Sequence, residues 1–292
     1  MARALLFINL GARRGDEAGQ EARAGLEACG LDVRVVTSFD PGQAGEIIRR
    51  ERAGIDRVIV AGGDGTLNAV VQGLVGTGLP LGILPVGTAN NLARTLRIPP
   101  SLGEAAELAA RGGRRPIDLG WVNGHYFFTT ASIGLSVRIT EELTPATKQR
   151  WGALAYGVTA LRTLVRSHPF LAEIRWAGGT RHSRTIQVVV GNGRYYGSAL
   201  PVAEDASIVD SRLDLYSLEV RHWWELVTLA PSLARGRQGE KRSVEALRAK
   251  EFEIRTPAPM DINVDGEIRS QTPATFRVMP RVLEVYAPAD PL

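Results

Sequence analysis

Strand-like and helix-like segments alternate through the first 120 residues, and this alternation constrains the fold more than any other feature. Apolar strand patterns at residues 57–61 and 81–84 are each followed by a helical pattern, at 66–75 and 89–96. Alternation of this kind is typical of a parallel sheet with helices on both faces. Ligands of such sheets bind at the carboxyl ends of the strands.

The pattern changes after Asp118 to short alternating strands joined by tight turns. Asn123-Gly124 separates two such strands and is a strong hairpin signal. Further strands are predicted at 171–176, 185–190, 213–219, 251–256, 260–264, 275–278 and 282–286, and helices at 147–167 and 222–234. We therefore predict an α/β domain over residues 1–118 and a mainly antiparallel domain over 119–292.

Composition excludes several classes of protein. The 292 residues are 44% hydrophobic with a net charge of +4, which is typical of a folded protein and too weakly basic for a nucleic-acid coat. The single cysteine, Cys29, rules out an intrachain disulfide and two-cysteine zinc motifs. Residues 1–9 resemble a first strand more than a secretion signal, so we expect a cytoplasmic protein.

The sharpest motif is the glycine-rich segment 62–68, Gly-Gly-Asp-Gly-Thr-Leu-Asn, which follows a buried-strand pattern and opens a helix. Glycines let backbone N–H groups face a ligand, and a helix N-terminus favours negative charge, so phosphate is the expected guest. An ordinary turn capped by Asp64 or Thr66 is the alternative. Asn68 replaces the third glycine of a Rossmann fingerprint, and no lysine of a P-loop is present.

A second glycine-rich strand end follows at residues 81–94. It contains Gly87, Thr88, Asn90 and Asn91 between a strand pattern and a helical pattern. Because both loops follow strands of one predicted sheet, we expect them to form a single pocket. A simple helix cap by Thr88 or Asn90 would also explain this loop taken alone.

Four motifs in a fixed order resemble the diacylglycerol/sphingosine kinase family, in particular its bacterial lipid kinases. They are Gly-Gly-Asp-Gly-Thr at 62–66, Gly-Thr-Ala-Asn at 87–90, Asp-Leu-Gly at 118–120 with Asn-Gly at 123–124, and Asp-Gly-Glu at 265–267. The resemblance covers nearly the whole chain. It implies a phosphofructokinase-like α/β domain, a C-terminal β-sandwich whose last residues pack back on the first domain, and ATP bound between the two. It also implies transfer of the γ-phosphoryl group to a lipid hydroxyl.

The resemblance assigns roles to individual residues. Glu267 would accept the proton, Asp265 could share or replace that role, and Asp64 would position the nucleotide or a metal-bound water. A Mg²⁺ ion would bind Asp210 and the backbone carbonyls of Ser207 and Arg212. The implied nucleotide contacts are Thr37, Gly62, Gly63, Asp64, Gly65, Thr66, Leu67, Asn68, Thr88 and Asn90.

Two positions depart from the family pattern. Ser211 stands where the family usually has glycine, and a positive φ there would cost about 1–3 kcal/mol. Asn91 stands where an aspartate is common, which removes one negative charge near the nucleotide or acceptor. The Asp-Gly of residues 265–266 also fits a plain hairpin turn. A hairpin turn could itself present the two carboxylates to the site, so the turn and the catalytic role are compatible.

Partners and alternatives complete the expectations. Residues 221–250 carry seven Arg or Lys against three Glu, together with Trp223 and Trp224, so we expect reversible docking of this segment on anionic membrane. A packed helix is the alternative for the same residues. The sequence favours no nucleic-acid partner and leaves open a homodimer and the identity of the lipid acceptor. An NAD kinase-like enzyme and a non-catalytic nucleotide- or lipid-binding regulator are the alternative functions.

Overall fold

The computed structural model describes residues 1–8, 15–37, 39–40, 42–142, 168–193, 195–196, 200–201, 207–219 and 244–289. The helices are α1 (Gly15–Ala28), α2 (Ala44–Glu51), α3 (Asp64–Leu74), α4 (Asn91–Thr95), α5 (Leu102–Arg111) and α6 (Leu135–Glu142), with a 3₁₀ turn at Arg52–Gly54. The strands are β1 (Ala2–Ile8), β2 (Leu31–Val36), β3 (Arg57–Gly62), β4 (Leu81–Pro85), β5 (Arg114–Val122), β6 (His125–Phe127), β7 (Thr130–Gly134), β8 (Phe170–Trp176), β9 (Gly179–Thr185), β10 (Gln187–Gly191), β11 (Tyr195–Tyr196), β12 (Leu200–Pro201), β13 (Leu213–Leu218), β14 (Val244–Ala249), β15 (Glu251–Arg255), β16 (Asp261–Val264), β17 (Glu267–Gln271) and β18 (Ala274–Tyr286).

The N-terminal half is built on four parallel strands in the order β2-β1-β3-β4. Every residue of β3 is buried, so this strand is covered on both faces, as its continuous apolar sequence predicts. Leu26 of α1, Ile48 of α2 and Val70 of α3 pack into the same core. The carboxyl ends of β3 and β4 therefore lie side by side, with the two glycine-rich loops directly after them.

The C-terminal strand β18 joins the two halves of the molecule. Val285 pairs with Leu81 of β4 in parallel, while residues 274–277 pair with β15 in antiparallel register. β5 follows β18 along nearly its whole length, and the register shifts between Met279 and Leu283. One sheet of ten described strands thus runs from the α/β half into the second half.

A second sheet has the order β14-β13-β10-β7-β16-β17 and is antiparallel throughout. Ile133 and Leu215 of this sheet share a core with Phe252 and Phe276 of the ten-stranded sheet. Two sheets that enclose one apolar core form a β-sandwich. The predicted fold class, an α/β domain followed by a β-sandwich, is confirmed.

Several local predictions differ from the structure. The strands predicted at 275–278 and 282–286 are one strand, β18, because a bulge lets it continue past Arg281, whose φ is +50°. The sequence pattern missed β9, β14, β17 and α6, of which β9 and β17 are rich in polar residues. The helices predicted at 147–167 and 222–234 lie outside the described residues. The boundary predicted at residue 118 lies within β5, and the division into two domains stays a prediction.

Within the described part of the chain, no helix has the length and apolar character needed to cross a membrane.

Candidate active site

The first glycine-rich loop brings backbone close to backbone at the carboxyl end of β3. A methyl group on Gly62 would lie 2.7 Å from Cβ of Thr66, so a larger residue would push the loop away from α3. Gly63 is the N-cap of α3 and makes no side-chain cap hydrogen bond. An eleven-residue helix whose N-terminus follows a glycine-rich loop suits an anion, and its first turn also carries the carboxylate of Asp64.

The second loop packs directly against the first. A methyl group on Gly87 would lie 2.5 Å from Cα of Gly63, so Gly87 requires glycine, and a methyl group on Gly63 would make a tight contact of 3.2 Å with Cα of Gly87. Asn90 has a left-handed backbone with φ +50°, and its side-chain amide donates a hydrogen bond to the carbonyl of Gly87 at 2.8 Å. The structure thus brings the two loops together, and Thr88 of the second loop is exposed.

Asp64 ties the loops together through its carboxylate. Its two oxygens accept hydrogen bonds from the backbone N–H groups of Asn91 at 3.1 Å and Leu92 at 3.2 Å, which begin α4. A carboxylate at a helix N-terminus is stabilised by the unpaired N–H groups there. Asp64 therefore holds α4 against α3.

Thr37, the remaining predicted nucleotide contact, lies exposed just after β2.

The hairpin between β16 and β17 reaches the first loop from the second half of the chain. The side-chain amide of Asn68 donates a hydrogen bond to the carbonyl of Val264 at 3.3 Å. Oε1 of Glu267 lies 3.8 Å from the position that a Cβ on Gly65 would occupy. Glu267 also forms an ion pair with Arg269, two residues along the same strand. A half-exposed carboxylate therefore faces the glycine-rich loop.

Asp265 is used differently from Glu267. Its carboxylate accepts hydrogen bonds from the backbone N–H groups of Phe128, Thr129 and Thr130 at 2.7, 3.0 and 3.0 Å, and from the Thr129 hydroxyl at 2.5 Å. Burial raises the pKa of the Asp265 carboxyl, and the four donors act against that rise. The oxygens of Asp265 therefore hold the loop between β6 and β7. The backbone of Asp265 is left-handed, with φ +48°.

The predicted metal ligands lie in the loop before β13. Oδ1 of Asp210 accepts a hydrogen bond from the backbone N–H of Arg212 at 3.0 Å. Burial raises the pKa of Asp210, and the carboxylates of Asp214 and Asp118 raise it further. Ser211 adopts φ +59°, a conformation that glycine would adopt without strain. No group of three or more His, Cys, Asp or Glu arranged for a metal occurs among the described residues.

Asp118 connects this loop to β18. It is almost fully buried, and its carboxylate accepts hydrogen bonds from the backbone N–H groups of Ser211 at 2.6 Å and Arg281 at 2.8 Å. Its own N–H donates to the carbonyl of Ile208 at 2.8 Å. One buried aspartate therefore positions both the loop of Asp210 and the bulge in β18.

A chain of hydrogen bonds runs from Asp118 to the Asp265 hairpin. The side-chain amide of Asn192 donates to the carbonyls of Asp118 and Phe128, each at 3.0 Å, and the N–H of Phe128 donates to Asp265. Oδ1 atoms of Asn192 and Asn91 are buried without a protein partner among the described residues.

Sequence reasoning missed Asn192, because no recognisable motif surrounds it in the sequence. It also missed Arg269, which the two-residue period of a strand beside Glu267 could have indicated.

Comparison with known proteins identifies the family. A family model described as the diacylglycerol kinase catalytic domain matches residues 3–122, and one described as the YegS C-terminal NAD kinase beta sandwich-like domain matches residues 129–287. A "Probable lipid kinase YegS-like" of Yersinia enterocolitica is 31% identical over 99% of this chain and 98% of its own length. The chain belongs to the diacylglycerol kinase and YegS-like lipid kinase family.

A further relative and a solved structure are also similar to this chain. "Diacylglycerol kinase" of Bacillus subtilis is 32% identical over 80% of this chain and 78% of its own. A solved structure titled as a putative diacylglycerol kinase from Bacillus anthracis has a TM-score of 0.82 at 24% identity, covering 98% of this chain and 95% of that one, which supports the shared fold. The sequence resemblance to lipid kinases is confirmed.

Proposed function

We propose that this protein is a Mg²⁺-dependent lipid kinase that transfers the γ-phosphoryl group of ATP to the hydroxyl of diacylglycerol or a related lipid alcohol. The observation that carries the proposal is the carboxylate of Glu267 beside Gly65, at a loop suited to phosphate. A base and a phosphate-binding loop in direct proximity are the parts that phosphoryl transfer needs.

The nucleotide would bind along the two glycine-rich loops. Backbone N–H groups at residues 62–66 and the N-terminus of α3 would bind the phosphates in place of a P-loop lysine. The close contact of Gly63 with Gly87 supports one shared site, with Thr88 and Asn90 on one side and Thr37 at the end of β2. Leu67 is buried and supports the loop from the core.

Glu267 would act as the base. It accepts the proton of the lipid hydroxyl while the hydroxyl oxygen forms a bond to the γ-phosphorus. The bond from that phosphorus to the bridging oxygen breaks, and ADP leaves with the electron pair. Asp265 has its oxygens committed to Phe128, Thr129 and Thr130, which favours Glu267 for this role. Asp64 would orient the second loop through its contacts with Asn91 and Leu92.

Asp210 and the backbone carbonyls of Ser207 and Arg212 would hold the Mg²⁺ ion. The donor set fits, because Mg²⁺ prefers oxygen ligands and a partly buried carboxylate near two others gains from a cation. When bound, Mg²⁺ supplies positive charge that offsets the negative charge of the neighbouring carboxylates. Asp118 keeps the loop in the required shape through its bond to Ser211.

Access to a lipid substrate requires contact with a membrane. We propose that a cytoplasmic form of the protein docks reversibly through the basic residues of 221–250, of which only 244–250 lie within the described part of the chain. Anionic liposomes that retain the protein at low salt and release it at high salt would support this. Binding that is insensitive to salt, or absent, would contradict it.

A single assay tests the main proposal. Purified protein is incubated with γ-labelled ATP, Mg²⁺ and a panel of lipid alcohols in mixed micelles, with NAD as a further acceptor. Labelled lipid is the expected product, and Glu267→Gln should lower its rate about 10²–10⁴-fold. Glu251→Gln is the matched control, because Glu251 pairs with Arg277 on the exposed surface. Labelled NADP, or ATP binding without transfer, would overturn the proposal.

A further inference from the structure

A cavity of about 340 Å³ lies beside the hairpin of Glu267, between α2, α3 and the turn that joins β5 to β6. This volume is within the range of small-molecule sites. Its walls include Arg49 of α2, Gln72 of α3, His125 and Tyr126 of β6 and Arg269 of β17. Asn68 and Ala69 in the second turn of α3 also line the cavity, so it adjoins the end of the glycine-rich segment 62–68 and extends from there toward α2 and β6.

The walls of this cavity are held in place. Helices α2 and α3 cross at two glycines, since a methyl group on Gly73 would lie 2.0 Å from Cα of Gly45. The side-chain amide of Gln72 donates to the carbonyl of Tyr126 at 2.8 Å and accepts from its N–H at 3.0 Å. The space is therefore built into the packing of α2, α3 and β6.

The charge of the lining favours an anion. Among the described residues that line the cavity there are two arginines and no aspartate or glutamate. Nη1 of Arg49 lies 3.4 Å from the Cβ position of Gly45, which also lines the cavity, and Arg49 has no hydrogen bond or ion pair within the described residues. A guanidinium group binds phosphate through two parallel hydrogen bonds. The chemistry therefore suits a phosphate carried by a larger molecule.

Arg269 links the cavity to the catalytic centre, because it lines the cavity and pairs with Glu267. We propose that the cavity binds a phosphate group of one of the substrates through Arg49 and Arg269, and that Arg269 then releases Glu267. Arg269 is thus a positioning residue, and Glu267 becomes available as a base once that substrate is in place. This inference rests on the proposed function.

The first test measures binding of inorganic phosphate to the full chain by equilibrium dialysis. Arg49→Gln and Arg269→Gln should each weaken one class of bound phosphate about tenfold, since each removes a charged donor. Arg23→Gln is the matched control, because Arg23 pairs with Glu27 on the exposed face of α1. Unchanged isotherms for both cavity variants would overturn the site, whether or not the protein phosphorylates a lipid.

The second test identifies the source of the phosphate by steady-state kinetics with ATP, diacylglycerol and phosphatidylglycerol. In Arg49→Gln, a KM for phosphatidylglycerol about tenfold higher at unchanged kcat supports a lipid headgroup in the cavity. The same rise in KM for ATP supports the nucleotide instead. Arg269→Gln should raise the KM for the same substrate, and Arg269→Lys should bring it back toward the wild-type value, because lysine keeps the charge. Unchanged KM values for all three substrates would overturn the inference.

Discussion

Changing each of the two neighbouring carboxylates of the β16–β17 hairpin to its amide should affect different properties of the protein. Glu267→Gln removes the proposed base, whereas Asp265→Asn removes an acceptor that holds the loop between β6 and β7. Each change is nearly isosteric. The pair therefore separates catalysis from stability at positions only two residues apart.

The contacts of Asp265 set the expected loss of stability. Oδ1 accepts three hydrogen bonds and Oδ2 accepts the N–H of Phe128 alone. An asparagine that keeps its oxygen at the Oδ1 position turns its NH₂ group toward Phe128 and leaves that N–H unpaired, at about 1–3 kcal/mol. The left-handed backbone adds no further cost, because asparagine tolerates it.

Glu267 should contribute little to stability. Its pairing with Arg269 joins side chains that are 40% and 37% exposed, and exposed pairs contribute about 0–1 kcal/mol. Loss of a general base should lower kcat about 10²–10⁴-fold. Glu267→Gln is therefore expected to unfold at nearly the wild-type denaturant midpoint with almost no turnover.

Urea unfolding and the lipid kinase assay are run on both variants, with Asp261→Asn as the control. Asp261 lies on the same hairpin, and within the described residues its carboxylate accepts one side-chain hydrogen bond, an exposed one from Gln271. Asp265→Asn should lower the unfolding midpoint while the surviving folded protein keeps measurable turnover. The reasoning is wrong if Asp265→Asn unfolds like wild type and is inactive while Glu267→Gln remains active.

Three further predictions concern the loops and the cation. Gly87→Ala should cost about 1–3 kcal/mol of unfolding free energy and lower kcat about 10²-fold, because the two loops must separate, while Gly54→Ala, with open space around it, should change neither. Chelation with EDTA should abolish turnover, and Asp210→Asn should raise the Mg²⁺ concentration for half-maximal activity about tenfold; equal Mg²⁺ curves would count against this ligand. Asp118→Ala should leave the N–H groups of Ser211 and Arg281 unpaired and lower the thermal midpoint, and an unchanged midpoint would contradict its assigned role.

Much of the fold follows from local sequence patterns. The apolar runs of β1, β3 and β4 and the Asn123-Gly124 turn, with φ +44° and +98°, have the structures that their residue types favour. Polar strands such as β9 and β17 have no such signal, since they are strands only because a neighbouring strand pairs with them. The sequence does not show that β18 is continuous. The N–H of Arg281 at its bulge donates to Asp118, which lies far away in the chain, so the continuity depends on tertiary structure.

The sequence by itself determined the two glycine-rich loops. Whether a backbone can approach a phosphate depends on the residue at that position, so Gly62 to Gly65 and Gly87 carry their meaning locally. Only the tertiary structure decided that Glu267 faces Gly65 while Asp265 is bonded to the loop between β6 and β7. The physical reason is that strand pairing and side-chain direction across about two hundred residues select which of two adjacent carboxylates reaches the loop.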